Sequence, residues 1–106
     1  MPKFLYQANY TTTGIQGLLQ EGGTSRRQVF EEMGREQGGE LEAFYYAFGG
    51  ADLYMIYDLP DAVTAAALSL SITARGAISI STVQLITPEE IDEATRKTVT
   101  YRPPGE

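Results

Sequence analysis

Cysteine and histidine are both absent from the sequence, and each absence closes off a class of chemistry. Without cysteine there is no disulfide and no thiolate metal site, and nothing points to export. Without histidine, the commonest general base, zinc ligand and haem ligand is missing. No metal site is expected and no motif calls for a cofactor. Catalysis would have to come from carboxylates, tyrosines, arginines or a bound group. Long apolar runs are lacking too: none approaches the ~20 residues of a membrane helix. The opening Met1-Pro2-Lys3-Phe4 lacks the order of a signal peptide, so a cytoplasmic location is expected. Basic residues are few, with eight Lys and Arg against fourteen Asp and Glu and a net charge of −6. That field repels nucleic acid and anionic lipid, and neither is expected as a partner.

What is present is an ordinary globular balance, 42% hydrophobic and 21% charged over 106 residues, which bounds the chain to one domain. The aromatic-rich stretch from Lys3 to Tyr10 reads as a strand, ended by Thr11-Thr12-Thr13-Gly14. Ile15, Leu18 and Leu19 recur at helical spacing, Gly22-Gly23 interrupts them, and Val29, Phe30 and Met33 resume. Ser25 with Gln28 fits a capping box at the restart, and Gly38-Gly39 marks the stop. Glu40 to Phe48 and Asp52 to Leu59 read as strands joined by Gly49-Gly50-Ala51. Asp61 is placed to cap a helix from Ala62 to about Arg75, which Gly76 ends. Its small residues suit a helix lying flat on the sheet. Ala77 to Ile86 is a fourth strand. Thr87-Pro88-Glu89-Glu90 then opens a last helix with a cap, a proline at the first position and a glutamate at the third. The tail, residues 98–106, contains Pro103 and Pro104 and is expected to run extended.

The order β-α-β-β-α-β plus a C-terminal helix predicts an α+β, ferredoxin-like fold with a four-stranded antiparallel sheet. A sheet covered on one face should alternate apolar and polar residues. Here Leu41, Ala43, Tyr45 and Ala47 are expected on one side of the second strand, and Glu42, Phe44, Tyr46 and Phe48 on the other. The third strand divides into Leu53, Met55 and Tyr57 against Tyr54 and Ile56. Apolar residues on both faces predict a homo-oligomer that packs sheet to sheet about a two-fold axis.

The residues from Gly38 to Gly49, with Asp58-Leu59-Pro60-Asp61, resemble the GYD-domain family. Tyr10, Gly14, the segment from Glu21 to Arg27, the last helix start and the stretch Tyr101-Arg102-Pro103-Pro104-Gly105 match it as well. One departure falls on the motif that names the family: Ala51 precedes Asp52 where the resemblance calls for tyrosine. The resemblance implies the dimeric α/β-barrel type of ferredoxin-like fold and names no activity. Its relatives by fold include monooxygenases, isomerases, haem enzymes and ligand sensors, among which fold does not choose.

Two candidate sites follow from the residues. Gly23, Ser25, Arg26 and Arg27 combine a helix start, a hydroxyl and two cations, which suits an anion. A helix break with arginines paired to nearby glutamates is the plainer reading. Phe44, Tyr46, Phe48 and Tyr54 would line an inter-sheet pocket for a small aromatic molecule, with Glu42 or Asp52 as its polar group. The rings would otherwise fill a dimer core. Two functions follow: a homo-oligomeric small-molecule-binding or structural module, or a cofactor-independent enzyme of monooxygenase or isomerase type. In the enzyme, Glu42 or Asp52 would carry the proton and Tyr46 or Tyr54 would orient the substrate. Glu89, Glu90, Asp92 and Glu93 complement the last helix's dipole and need no metal to explain them.

Overall fold

The computed structural model describes residues 1–106. Its elements, in order, are β1 (Lys3–Tyr10), α1 (Thr12–Glu21), α2 (Gly23–Glu36), β2 (Glu40–Tyr46), β3 (Leu53–Asp58), α3 (Ala62–Thr73), β4 (Ile78–Leu85) and α4 (Pro88–Thr95). Local chemistry sets most boundaries. Thr11, extended, caps α1 by accepting the Gly14 N–H, and Asp61 caps α3 by accepting that of Thr64. Thr87 and Glu90 form the reciprocal capping box of α4, with Pro88 inside the first turn.

The α1–α2 joint is one residue, Gly22, at φ +82, a conformation that costs glycine little. Because α2 begins at Gly23, Ser25 lies inside its first turn and no side chain caps the helix. The expected Ser25–Gln28 capping box is therefore not formed. At its other end α2 closes in a Schellman motif: the Gly39 N–H donates to the Gly34 carbonyl and the Gly38 N–H to that of Arg35, with Gly38 at φ +79.

The sheet is fully antiparallel with strand order β2-β3-β1-β4. Each β-α-β unit thus skips a position, which a strand of the other unit fills. Phe4, Tyr6 and Ala8 of β1 and Leu53, Met55 and Tyr57 of β3 point to one face and are buried. Phe30 of α2 and Ala65, Leu68 and Ile72 of α3 close that core. Two phenols sit at its centre, ring edge to ring face with centroids 5.5 Å apart. Tyr6 donates to the Ala65 carbonyl of α3 at 2.7 Å, and Tyr57 donates to the Phe30 carbonyl of α2.

A β-bulge between Leu41 and Ala43 corrects the expected face assignment of β2. Leu41 pairs with Tyr57, Phe44 with Met55 and Tyr46 with Leu53, so Leu41, Phe44 and Tyr46 share the helix-covered face. The extra residue is Glu42. Strands β2 and β3 are also shorter than expected. Phe48 has left β2 and sits in the connecting loop at φ +60, the one non-glycine residue with positive φ.

No helix covers the other face. There Ala43, Ile56, Leu5 and Val83 form a cross-strand row through all four strands. On one side of it run Tyr45, Tyr54, Gln7 and Ser81. On the other run Glu40, Asp58, Lys3 and Leu85. Lys3 is hydrogen-bonded to Glu42 and lies 3.8 Å from Asp58 Oδ1, which is shielded from water and has no hydrogen bond of its own.

Beyond β4 the chain leaves the body. α4 has no buried residue, and the tail runs without helix or strand to a terminal turn, Glu106 N–H to Pro103 carbonyl. The extents are 57 × 34 × 22 Å and the radius of gyration is 17.0 Å. A compact chain of this length has about 13 Å. No helix is long and apolar enough to cross a membrane.

The core phenols give a direct test. Tyr57→Phe removes one buried hydrogen bond and leaves the packing intact, so it should lower stability by about 1 kcal/mol in urea unfolding. An unchanged midpoint would mean that the hydroxyl contributes nothing net.

Candidate functional site

The helix-side edge of β2 gathers five of the chain's eleven aromatic rings. Phe44 packs against Phe30 with centroids 5.7 Å apart and meets Tyr46 edge to face at 5.4 Å. Tyr46 is the middle ring of a stack, with Phe48 at 6.0 Å on one side and Tyr10 at 6.4 Å on the other. The Tyr10 and Tyr46 hydroxyls lie 3.5 Å apart. Phe48 joins the stack with its backbone at positive φ, a conformation costly for an aromatic residue.

The start of α2 abuts these rings. A side chain at Gly23 would meet the Tyr46 ring at 3.1 Å, tight enough that the ring would have to shift by a few tenths of an ångström. Gly23, Thr24, Arg27, Phe44 and Tyr46 enclose a recess of about 240 Å³. Two candidates kept separate by the sequence reading thus meet: Gly23 and Arg27 from the cationic segment, Phe44 and Tyr46 from the aromatic one. Arg27 Nε is 3.5 Å from Glu31. Arg26 instead pairs with Glu21 at 3.4 Å and lays its guanidinium 5.3 Å above the Phe30 ring centroid. Ser25 is not part of the recess lining.

Tyr54 lies on the opposite, uncovered face, so the four expected pocket residues do not share one pocket. Around Tyr54 is a second recess, about 320 Å³, whose lining includes Gln7, Asn9, Ala51, Ser79 and Ser81. Ala51 is buried there, with only a methyl group where the resemblance calls for a tyrosine ring. The two candidate proton carriers hold structural bonds. Asp52 accepts the Tyr10 N–H at 2.9 Å and Glu42 pairs with Lys3. No three acidic side chains come together as a metal cage.

The sequence reading placed Thr24 in the cationic segment but passed over Tyr10 and Phe30, and the polar set Gln7, Asn9, Ser79 and Ser81. A signal existed for that set. Gln7 and Asn9 alternate with buried residues along β1, and Ser79 and Ser81 alternate likewise with Ile78 and Ile80. The pairs Gln7–Ser81 and Asn9–Ser79 follow once β1 and β4 are recognised as neighbours.

Burial raises the Tyr46 phenol well above its ordinary value, helped by the hydrogen bond with Tyr10. Burial also raises Tyr57 and Tyr6.

Comparison with known families adds the last observation. The GYD domain family model matches residues 4–95, and the chain belongs to the GYD-domain family. No curated protein and no solved structure matches it.

The raised phenols fix the sign of an alkaline response. The folded chain keeps these protons where the unfolded chain, with phenols near ~10, has lost them, so stability should fall as pH rises past about 10. Urea unfolding on either side of that pH should show the decline, and Tyr46→Phe should make it shallower. An unaltered slope in Tyr46→Phe would remove Tyr46 from this linkage.

Proposed function

We propose that this GYD-domain chain is a cytoplasmic, homodimeric binding module of ferredoxin-like, dimeric α/β-barrel architecture. The observation that carries the reading is the apolar row Ala43, Ile56, Leu5 and Val83, which crosses the whole sheet with no helix of its own chain above it. A second copy packed face to face would cover both rows at once. The interleaved order β2-β3-β1-β4 supports the ferredoxin-like assignment.

The molecule it holds is a small aromatic acid, seated at the recess by β2. The Phe44 and Tyr46 rings offer an apolar wall, while Arg27 and the uncapped start of α2 offer positive charge and free N–H groups. The catalytic alternative, a cofactor-independent enzyme, draws less support. Glu42 and Asp52 are already engaged by Lys3 and by the Tyr10 N–H, and neither lines this recess.

Native mass spectrometry of the purified protein should report a dimer. Ile56→Glu should weaken it roughly 100-fold or more, because the change is felt twice across a two-fold axis, with circular dichroism unaltered. A monomeric wild type, or an Ile56→Glu dimer of undiminished strength, would overturn the sheet-to-sheet reading. Benzoate, titrated into isotope-labelled protein, should move the Gly23 and Thr24 amide signals, and Arg27→Ala should weaken binding roughly tenfold. Shifts centred on Tyr54 and Ser81 instead would move the ligand to the uncovered face.

A further inference from the structure

The chain carries two apolar surfaces that its own fold leaves apart. The first is α4. Its capping box and Pro88 specify a helix strongly, yet it has only eight residues, none buried, and no packed interface with any other element. Helices shorter than ~12–15 residues are marginal in water and depend on packing an apolar face. In α4 that face exists: Pro88, Ile91 and Ala94 follow one another at three-residue spacing, and Ile91 is 49% exposed. Ile86, just before the cap, is exposed as well.

The second surface belongs to α3. The inward stripe of that helix is Ala65, Leu68 and Ile72, but Val63, Ala66 and Leu70 form another at helical spacing. Leu70 is 71% exposed. Beside it runs a shallow groove of about 510 Å³, lined by residues that include Phe4, Ala62, Ala66, Leu70, Thr82 and Gln84. No charged side chain lines it. It opens between α3 and the edge strand β4, and α4 contributes nothing to it.

We infer that α4 of one copy docks, through Ile91, into the α3–β4 groove of a second copy. The inference rests on the dimer proposed above and adds an exchanged arm to it. Three features point to a second copy as the occupant. The arm leaves the body and stretches the chain to 57 Å. Its connector is only Ile86 and Thr87, and the capping box holds Thr87 extended and directs the helix outward. Finally, the groove is neutral and apolar, and so is the Pro88–Ile91–Ala94 stripe of a helix whose acids lie on its flanks, Glu90 and Asp92, and on its far side, Glu89 and Glu93. Exchange of this kind is reciprocal in a two-fold dimer, so both grooves are filled and no free arm remains.

The test uses the absence of cysteine, since any disulfide must then form between introduced residues. Full-length Leu70→Cys and Ile91→Cys are made separately, mixed in equal amounts and mildly oxidised. The mixture should yield a covalent dimer on a non-reducing gel, and each variant alone should not. The doubly substituted chain should also link between chains. A disulfide closed within one chain of that double variant would place α4 on its own groove and overturn the inference. So would thiols that stay free in the mixture.

Ile91→Asp should weaken self-association roughly 10- to 100-fold while circular dichroism stays unchanged. Undiminished association would likewise overturn it. Ile56→Glu separates the two readings. If it leaves the dimer intact while the 70–91 link still forms, the sheet contact falls and the arm exchange stands. If it dissociates the dimer but the link never forms in the unsubstituted background, the reverse holds.

Discussion

Two phenols in the core decide where everything else can lie. Tyr6 and Tyr57 are fully buried, and a buried hydroxyl without a partner costs about 1–3 kcal/mol. Each finds a partner in a different helix: Ala65 of α3 for Tyr6, Phe30 of α2 for Tyr57. The pair therefore pins one helix over β1 and the other over β3, while the edge-to-face contact between the rings keeps the two attachments in register. With Phe30 fixed, the start of α2 falls beside β2, and Gly23 meets Tyr46. The recess by β2 is a downstream result of hydrogen bonds made in the core.

Much of this order was legible in the sequence because it is local. Thr87 with Glu90, Asp61, the Gly22 break and the Gly38-Gly39 stop act within a few residues, and the strands from Lys3 and Glu40 begin where composition places them. What escaped depends on neighbours distant in the chain. The bulge at Glu42 leaves no compositional mark, since its cause is the pairing of β2 with β3. It moves Leu41 across the sheet from its expected place. The same pairing separates Tyr54 from Phe44 and Tyr46, so four aromatic residues that look like one pocket lie on two faces. Ser25 looked like a cap because the freedom of Gly22 to carry the break alone is not written in the residues after it. Tyr10 entered the aromatic stack only through tertiary structure. Family membership, by contrast, was legible in motifs spread over nearly the whole chain, and the match over residues 4–95 agrees with it.

The uncovered face has direction as well as area. Its apolar centre is bordered by Lys3, Glu40 and Asp58 at one end and by Tyr45, Tyr54, Gln7 and Ser81 at the other. A partner approaching with its charged end over the charged end would oppose acid to acid. The reverse orientation sets carboxylates against hydroxyls and carboxamides, which can donate to them. Polar borders of this sort select an orientation while the apolar centre supplies adhesion.

Strand β4 has a consequence of a different, colloidal kind. It is a sheet edge eight residues long, Ile78–Leu85, and it carries no lysine, glutamate or proline to discourage another strand from joining it. What keeps such edges apart is the charge on the rest of the molecule, −6 at neutral pH. That protection fades as the solution approaches the isoelectric point near 4.5. Near that pH the row of backbone amides along β4 is left without electrostatic protection, and edge-to-edge pairing is the route of self-association it opens.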